Sequence, residues 1–135
     1  MMSAQAFVDF SVAMLAGACV IITILTAERT RPTSTQAQQK ALALLRRWLS
    51  PEQAAQYNSQ NHFDVIGSDT GTRYRIRHGQ MVNIDQLDSA GNKACGWCFV
   101  PEGELAAGDC MLAQKIALET FETKILAIAN QRPSA

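Results

Sequence analysis

Three groups of residues have the types and spacing that carry chemistry. The first is Cys95-Gly96-Trp97-Cys98. In thiol redox proteins a CxxC opens a helix, whose dipole lowers the pKa of the first thiol. Here Phe99-Val100-Pro101 follow, and a helical pattern resumes only after Asp109. A strand is expected instead, and three positions along a strand put the two cysteines on opposite faces, so redox chemistry is not expected. Together with Cys110 the same residues read C-x₂-C-x₁₁-C, and His78 or His62 would complete a tetrahedral zinc site. That geometry needs a turn at Gly96-Trp97, and no second closely spaced pair supports it. A small zinc-binding module that contacts nucleic acid is therefore the alternative reading, set against small buried thiols.

The third group is Arg73, Arg75 and Arg77. Alternate residues of a strand share a face, so the guanidinium groups stand in a row about 6.6–6.8 Å apart while Tyr74 and Ile76 point into the core. Such a row can grip phosphates, an acidic protein or anionic headgroups. The competing reading is a solvated face neutralised across the strands by Asp64 or Asp85. A further basic cluster lies between Glu28 and Ser50, where Arg29, Arg31, Lys40, Arg46 and Arg47 face the single acid Glu28. Arg46 and Arg47 are binding candidates with the arginine row.

Catalytic constellations are missing. The chain has no glycine-rich phosphate loop and no GxSxG, HExxH or DxDxDG motif. A non-catalytic protein is expected. From Pro51 onward acids outnumber bases, ten to seven. With no exposed aromatics interleaved among the arginines, nucleic acid is a disfavoured partner.

The elements that position these residues follow from periodicity. Helices are predicted from Thr35 to Leu49 and from Pro51 to about Ser59, the second opened by Ser50, Pro51 and Gln53 as a capping box. After Asn61 the period changes to two. Strands are predicted over 62–67, 72–78, 81–85 and 94–100, joined by short turns as an antiparallel meander. Asp109 suits an N-cap, and a helix over 110–131 would cover the sheet with Leu118, Phe121, Ile125 and Ile128, leaving Lys115, Glu119 and Glu122 on its outer side. The predicted core is Tyr74, Ile76, Val82, Ile84, Trp97 and Phe99.

Residues 10–27, FSVAMLAGACVIITILTA, are eighteen residues without a charge. At 1.5 Å per residue they make about 27 Å of helix, near the lower bound for a membrane span. A cleaved signal is not expected, because no Lys or Arg precedes Phe10 and Leu25 occupies position −3 of the plausible cut. Ala16 before Cys19 argues against a lipoprotein signal; the remaining competitor is a buried helix. Arg29 and Arg31 after the run place the C-terminal domain in the cytoplasm and the first residues outside, on an inner membrane. Cys95, Cys98 and Cys110, an odd number of thiols beyond the run, agree with a reducing compartment. Ala13 and Gly17 form a small-xxx-small pair that would permit a homodimer.

The stretch GSDTGTRYRIRHG, with NID, CFVPEG and GDCMLAQKIALE after it, resembles small bacterial and phage domains of unknown function over roughly Phe63 to Asn130. The resemblance implies a recurring small domain and no particular activity.

The architecture expected is thus α+β: a tail and transmembrane helix (1–27), a basic juxtamembrane helical linker (28–60), and a cytoplasmic domain (61–135) with a four-stranded antiparallel meander under a C-terminal helix. The function expected is a membrane-anchored interaction module that binds an acidic protein or an anionic lipid surface and holds no cofactor.

Overall fold

The computed structural model describes residues 35–133. The 10–27 run, its Ala13/Gly17 pair and Arg29 and Arg31 lie outside the described residues. No helix among the described residues is long and apolar enough to cross a membrane.

The fold is a small α+β domain with a five-stranded antiparallel sheet. Its elements are α1 (Thr35–Trp48), α2 (Pro51–Gln60), β1 (His62–Ile66), β2 (Arg73–Arg77), β3 (Ile84–Leu87), β4 (Lys93–Cys98), α3 (Ala107–Ile128) and β5 (Asn130–Pro133). Strand order follows chain order, β1-β2-β3-β4-β5. The meander thus has one strand more than the sequence pattern predicts. Asn-Gln-Arg-Pro carries no apolar alternation, and all four residues are exposed, so period alone could not reveal it.

One face of the sheet is covered. Leu45 and Leu49 at the α1 end, Phe63, Val65, Tyr74, Ile76 and Ile84 from the strands, and Met111, Leu112 and Leu118 from α3 form one core. Tyr74, Ile76 and Ile84 are buried as expected, and Trp97 and Phe99 are partly buried against them. Val82 is not a core residue. Strand β3 starts at Ile84, and Val82 sits in the preceding turn at φ 51°, its side chain 37% exposed. Asn83 turns inward in its place, exchanging two hydrogen bonds with the buried Gln114 of α3 (2.8 and 2.9 Å).

The α2 capping box forms as predicted: the Gln53 amide N–H donates to Ser50 Oγ, and the Ser50 N–H to Gln53 Oε1. Helix α3 begins at Ala107, before Asp109. Its N-cap, Ala106, has no side-chain bond to give, and Gln38 of α1 accepts from the Ala107 N–H instead (3.2 Å). The two helices meet at Gly108, where a Cβ would stand 2.4 Å from the Ala41 carbonyl carbon. Glycine is required there because the obstacle is backbone.

Candidate functional site

The open face of the sheet carries the arginine row. Antiparallel register sets Asp64, Arg75, Asp85, Gly96 and Arg132 directly opposite one another, one from each strand. Arg73 and Arg77 flank Arg75 on β2, and Lys93 reaches in from β4. Cross-strand pairing of the kind foreseen is present on both sides of the row. Arg75 donates from Nε and Nη2 to both Asp64 oxygens (2.9 and 3.3 Å). Arg77 does the same to Asp85 (2.9 and 3.4 Å) and also to the Val82 carbonyl (2.7 Å). Lys93 Nζ lies 2.9 Å from Asp85 Oδ1. The exposed Arg73 and Arg132 have no ion-pair partner among the described residues.

Five cations and two carboxylates thus stand on the strands of this face, a net of +3, whereas the chain from Pro51 onward carries −3; Glu52 and Glu119 line a cleft with Asp64 and Arg73 at its β1 edge. The acids lie on the loops and helices. Sequence alone indicated a mildly acidic body; only the register collects its bases on one side. Arg46 and Arg47 do not act as a pair. The Arg46 guanidinium stands 5.8 Å over the Tyr57 ring, while Arg47 is exposed.

The edge beside this face is closed. Asp64 of β1 points its backbone away from β2, and α2 satisfies it: Gln56 Oε1 accepts from the Asp64 N–H and Gln53 Nε2 donates to its carbonyl, both at 2.9 Å. Two glutamine side chains thus replace a sixth strand. His62, opposite Arg77, has its imidazole pKa lowered by burial and then by the Arg75 charge.

The three cysteines do not converge on one site. Cys95 Sγ faces Gln86 Oε1 (3.3 Å), which also accepts from Trp97 Nε1, and Cys110 Sγ faces the Gln80 carbonyl (3.4 Å). Burial, and after it Cys98, push the Cys110 thiol up. His78 is bonded through Nδ1 to Tyr57 Oη (2.8 Å). Gly96-Trp97 lies within β4, so the turn that a zinc knuckle needs is absent. Among the described residues no group of three His, Cys, Asp or Glu is placed to hold a metal ion.

A second constellation, not anticipated, lies where the β1–β2 hairpin meets α3. Glu122, expected on the outer face, is 0% exposed. Its carboxylate accepts from the Asp69 and Thr70 N–H groups (2.8 and 2.7 Å), Thr70 Oγ1 (2.5 Å) and Tyr74 Oη (2.7 Å). Burial alone would raise its pKa, but the bonds from Thr70, Tyr74 and the Asp69 amide outweigh this and hold it below the usual range. Burial, with the Glu122 charge behind it, raises the Tyr74 phenol.

Helix α3 breaks at Phe121 (φ −137°, ψ 37°), and the hairpin fills the break. The Ser68 N–H donates to the Leu118 carbonyl (3.0 Å), Ser68 Oγ accepts from the Glu122 N–H (3.3 Å), and Asp69 Oδ2 from the Thr123 N–H (2.9 Å). Past the break Ile125 is partly buried against the core as expected, whereas Phe121 and Ile128 are 52% and 78% exposed. The only sequence signal for this arrangement was the Ser68-Asp69-Thr70 run, whose types favour capping of exposed helix N–H groups.

No protein-family model, curated protein or solved structure matches this chain.

Proposed function

We propose that the chain is a non-catalytic interaction module, tethered to the inner membrane by residues 10–27, whose open sheet face binds an acidic protein segment on the cytoplasmic side. The observation that carries this reading is the separation of charge: five cations and two carboxylates on one face of a domain that is otherwise acidic. A positive face on a neutral chain steers acidic partners and speeds their encounter more than it adds affinity. The paired arginines are held rigid by Asp64 and Asp85, and the unpaired Arg73 and Arg132 offer free guanidinium forks to carboxylates. The cross-strand row itself, Asp64, Arg75, Asp85, Gly96 and Arg132, holds no aromatic ring, and the His62 imidazole stands beside it opposite Arg77. Stacking of bases, which dominates single-strand recognition, thus has no platform on that row.

Support for the tether comes from sequence alone: an uncharged eighteen-residue run followed by basic residues. Titration of the full chain with a poly-glutamate peptide tests the binding. The peptide should bind in a salt-sensitive way, and Arg73→Glu/Arg132→Glu should abolish it. Unaltered peptide binding in that variant would sink the reading, and anionic-vesicle binding that Arg73→Glu/Arg132→Glu weakens, without peptide binding, would assign the face to lipid.

A further inference from the structure

Helix α1 presents two different faces. Ala41, Leu45 and Leu49, four residues apart, are at most 9% exposed and lie against the domain. One position earlier in each turn stand Lys40, Leu44 and Trp48, and Arg47 shares their side, the spacing that lines one helix face. Leu44 is 41% and Trp48 60% exposed, and both cations are exposed. The helix contains no carboxylate. A leucine and a tryptophan one turn apart, turned outward between cations, are more than the core of this domain uses.

We infer that this outer face of α1 lies in the headgroup layer of an anionic membrane, with Leu44 and Trp48 entering at shallow depth and Lys40 and Arg47 meeting lipid phosphates. The inference rests on the tethered reading above. Tryptophan favours the membrane–water boundary, and basic amphipathic helices bind there through apolar burial combined with attraction to anionic lipid. A second copy of the face is a poor occupant, because two cationic surfaces would meet. A protein partner is also poor, since two apolar side chains fall far short of a stable interface of about 800 Å² per partner. From Ala27 to Thr35 the chain is eight residues, a reach of at most about 28 Å, so an inserted 10–27 run would keep α1 near the headgroups.

Leu45 and Leu49 join the core on the covered side of the sheet, and the arginine row stands on the other side, with α2 along its β1 edge.

The test uses the full chain in vesicles of phosphatidylcholine alone or equimolar with phosphatidylglycerol. Trp48 fluorescence is read as the difference between wild type and Trp48→Phe, which removes the Trp97 background. On the anionic vesicles the Trp48 emission should shift blue and be quenched by lipids brominated near the headgroup. Lys40→Glu/Arg47→Glu should weaken that docking roughly 30-fold or more. Three results overturn the inference. If the chain floats with vesicles while Trp48 stays open to aqueous iodide, α1 does not dock, though the tether stands. Equal quenching on neutral vesicles, unmoved by the charge reversal, removes the anionic recognition. Failure to float, with no quenching, removes both the docking and the tether.

Discussion

The β1–β2 hairpin takes part in two polar constellations that differ in almost every physical respect. Along its strands and the neighbouring β3, on the open face, Asp64, Arg75, Arg77 and Asp85 form ion pairs whose side chains are 11–46% exposed. At its turn, Asp69 and Thr70 close around the carboxylate of Glu122, which no water reaches from the surface. In the first, charge is screened and each pair contributes little to stability. In the second, a lone charge without a cation is held entirely by hydrogen bonds, and losing them would strand buried donors. A carboxylate in this domain is therefore architectural where hydrogen bonds enclose it, and on the open face it holds in place the arginines that flank the unpaired Arg73 and Arg132.

The largest expected effect comes from breaking the buried side of this contrast. Glu122→Gln should cost about 3 kcal/mol in thermal unfolding of the full chain, because a carboxamide turns a donor toward donors. Gly67→Ala should cost a similar amount by a different route, since its Cβ would stand 2.2 Å from the Glu122 Cδ and push the carboxylate from its donors. The double variant should then lose much less than the sum, as the two act on one network. Additive losses would mean that the hairpin and the carboxylate are independent.

Acid should produce the same loss gradually. The folded-state pKa of Glu122 is lowered, so its contribution is complete above the ordinary glutamate value of about 4.3 and fades as pH falls through the folded value. The stability gap between wild type and Glu122→Gln should accordingly narrow below pH of about 4 in melts across an acid series. A gap unchanged down to pH of about 2 would contradict the lowered pKa.

Smaller effects belong to the open face. Asp85→Asn, which loosens two cations at once, should cost about 1 kcal/mol, and Asp64→Asn about 0.5 kcal/mol, both shrinking in high salt. At the bottom of the scale, Arg73→Glu/Arg132→Glu should shift stability by less than about 0.5 kcal/mol while removing peptide binding. A large loss of stability in that variant would show that the two arginines are structural and would blur the contrast.

Much of the frame was legible from local pattern. The Ser50-Pro51-Gln53 cap, the change of period after Asn61 and the alternation in Arg73–Arg77 each state a local preference that tertiary packing had no reason to override. The legible part of the site is the side of the sheet on which the arginines stand, since alternation along a strand decides it. The carboxylates foreseen, Asp64 and Asp85, are the ones the row meets, and the illegible part is which arginine each one pairs with, because that depends on register between strands.

The sequence by itself determined the α+β class, the capped start of α2, the core positions Tyr74, Ile76 and Ile84 and the arginine row, because these follow from periodicity and side-chain chemistry within a few residues. Only the tertiary structure decided that Asn130–Pro133 is a strand, that Val82 turns out and Asn83 in, and that Glu122 is buried. Each of those outcomes depends on a group far along the chain: β4 supplies a partner for an edge without apolar signal, Gln114 supplies amide bonds to Asn83, and the hairpin supplies donors at a helix break. A carboxylate at an apparently outward helical position reads as solvated until something 50 residues away offers it four hydrogen bonds.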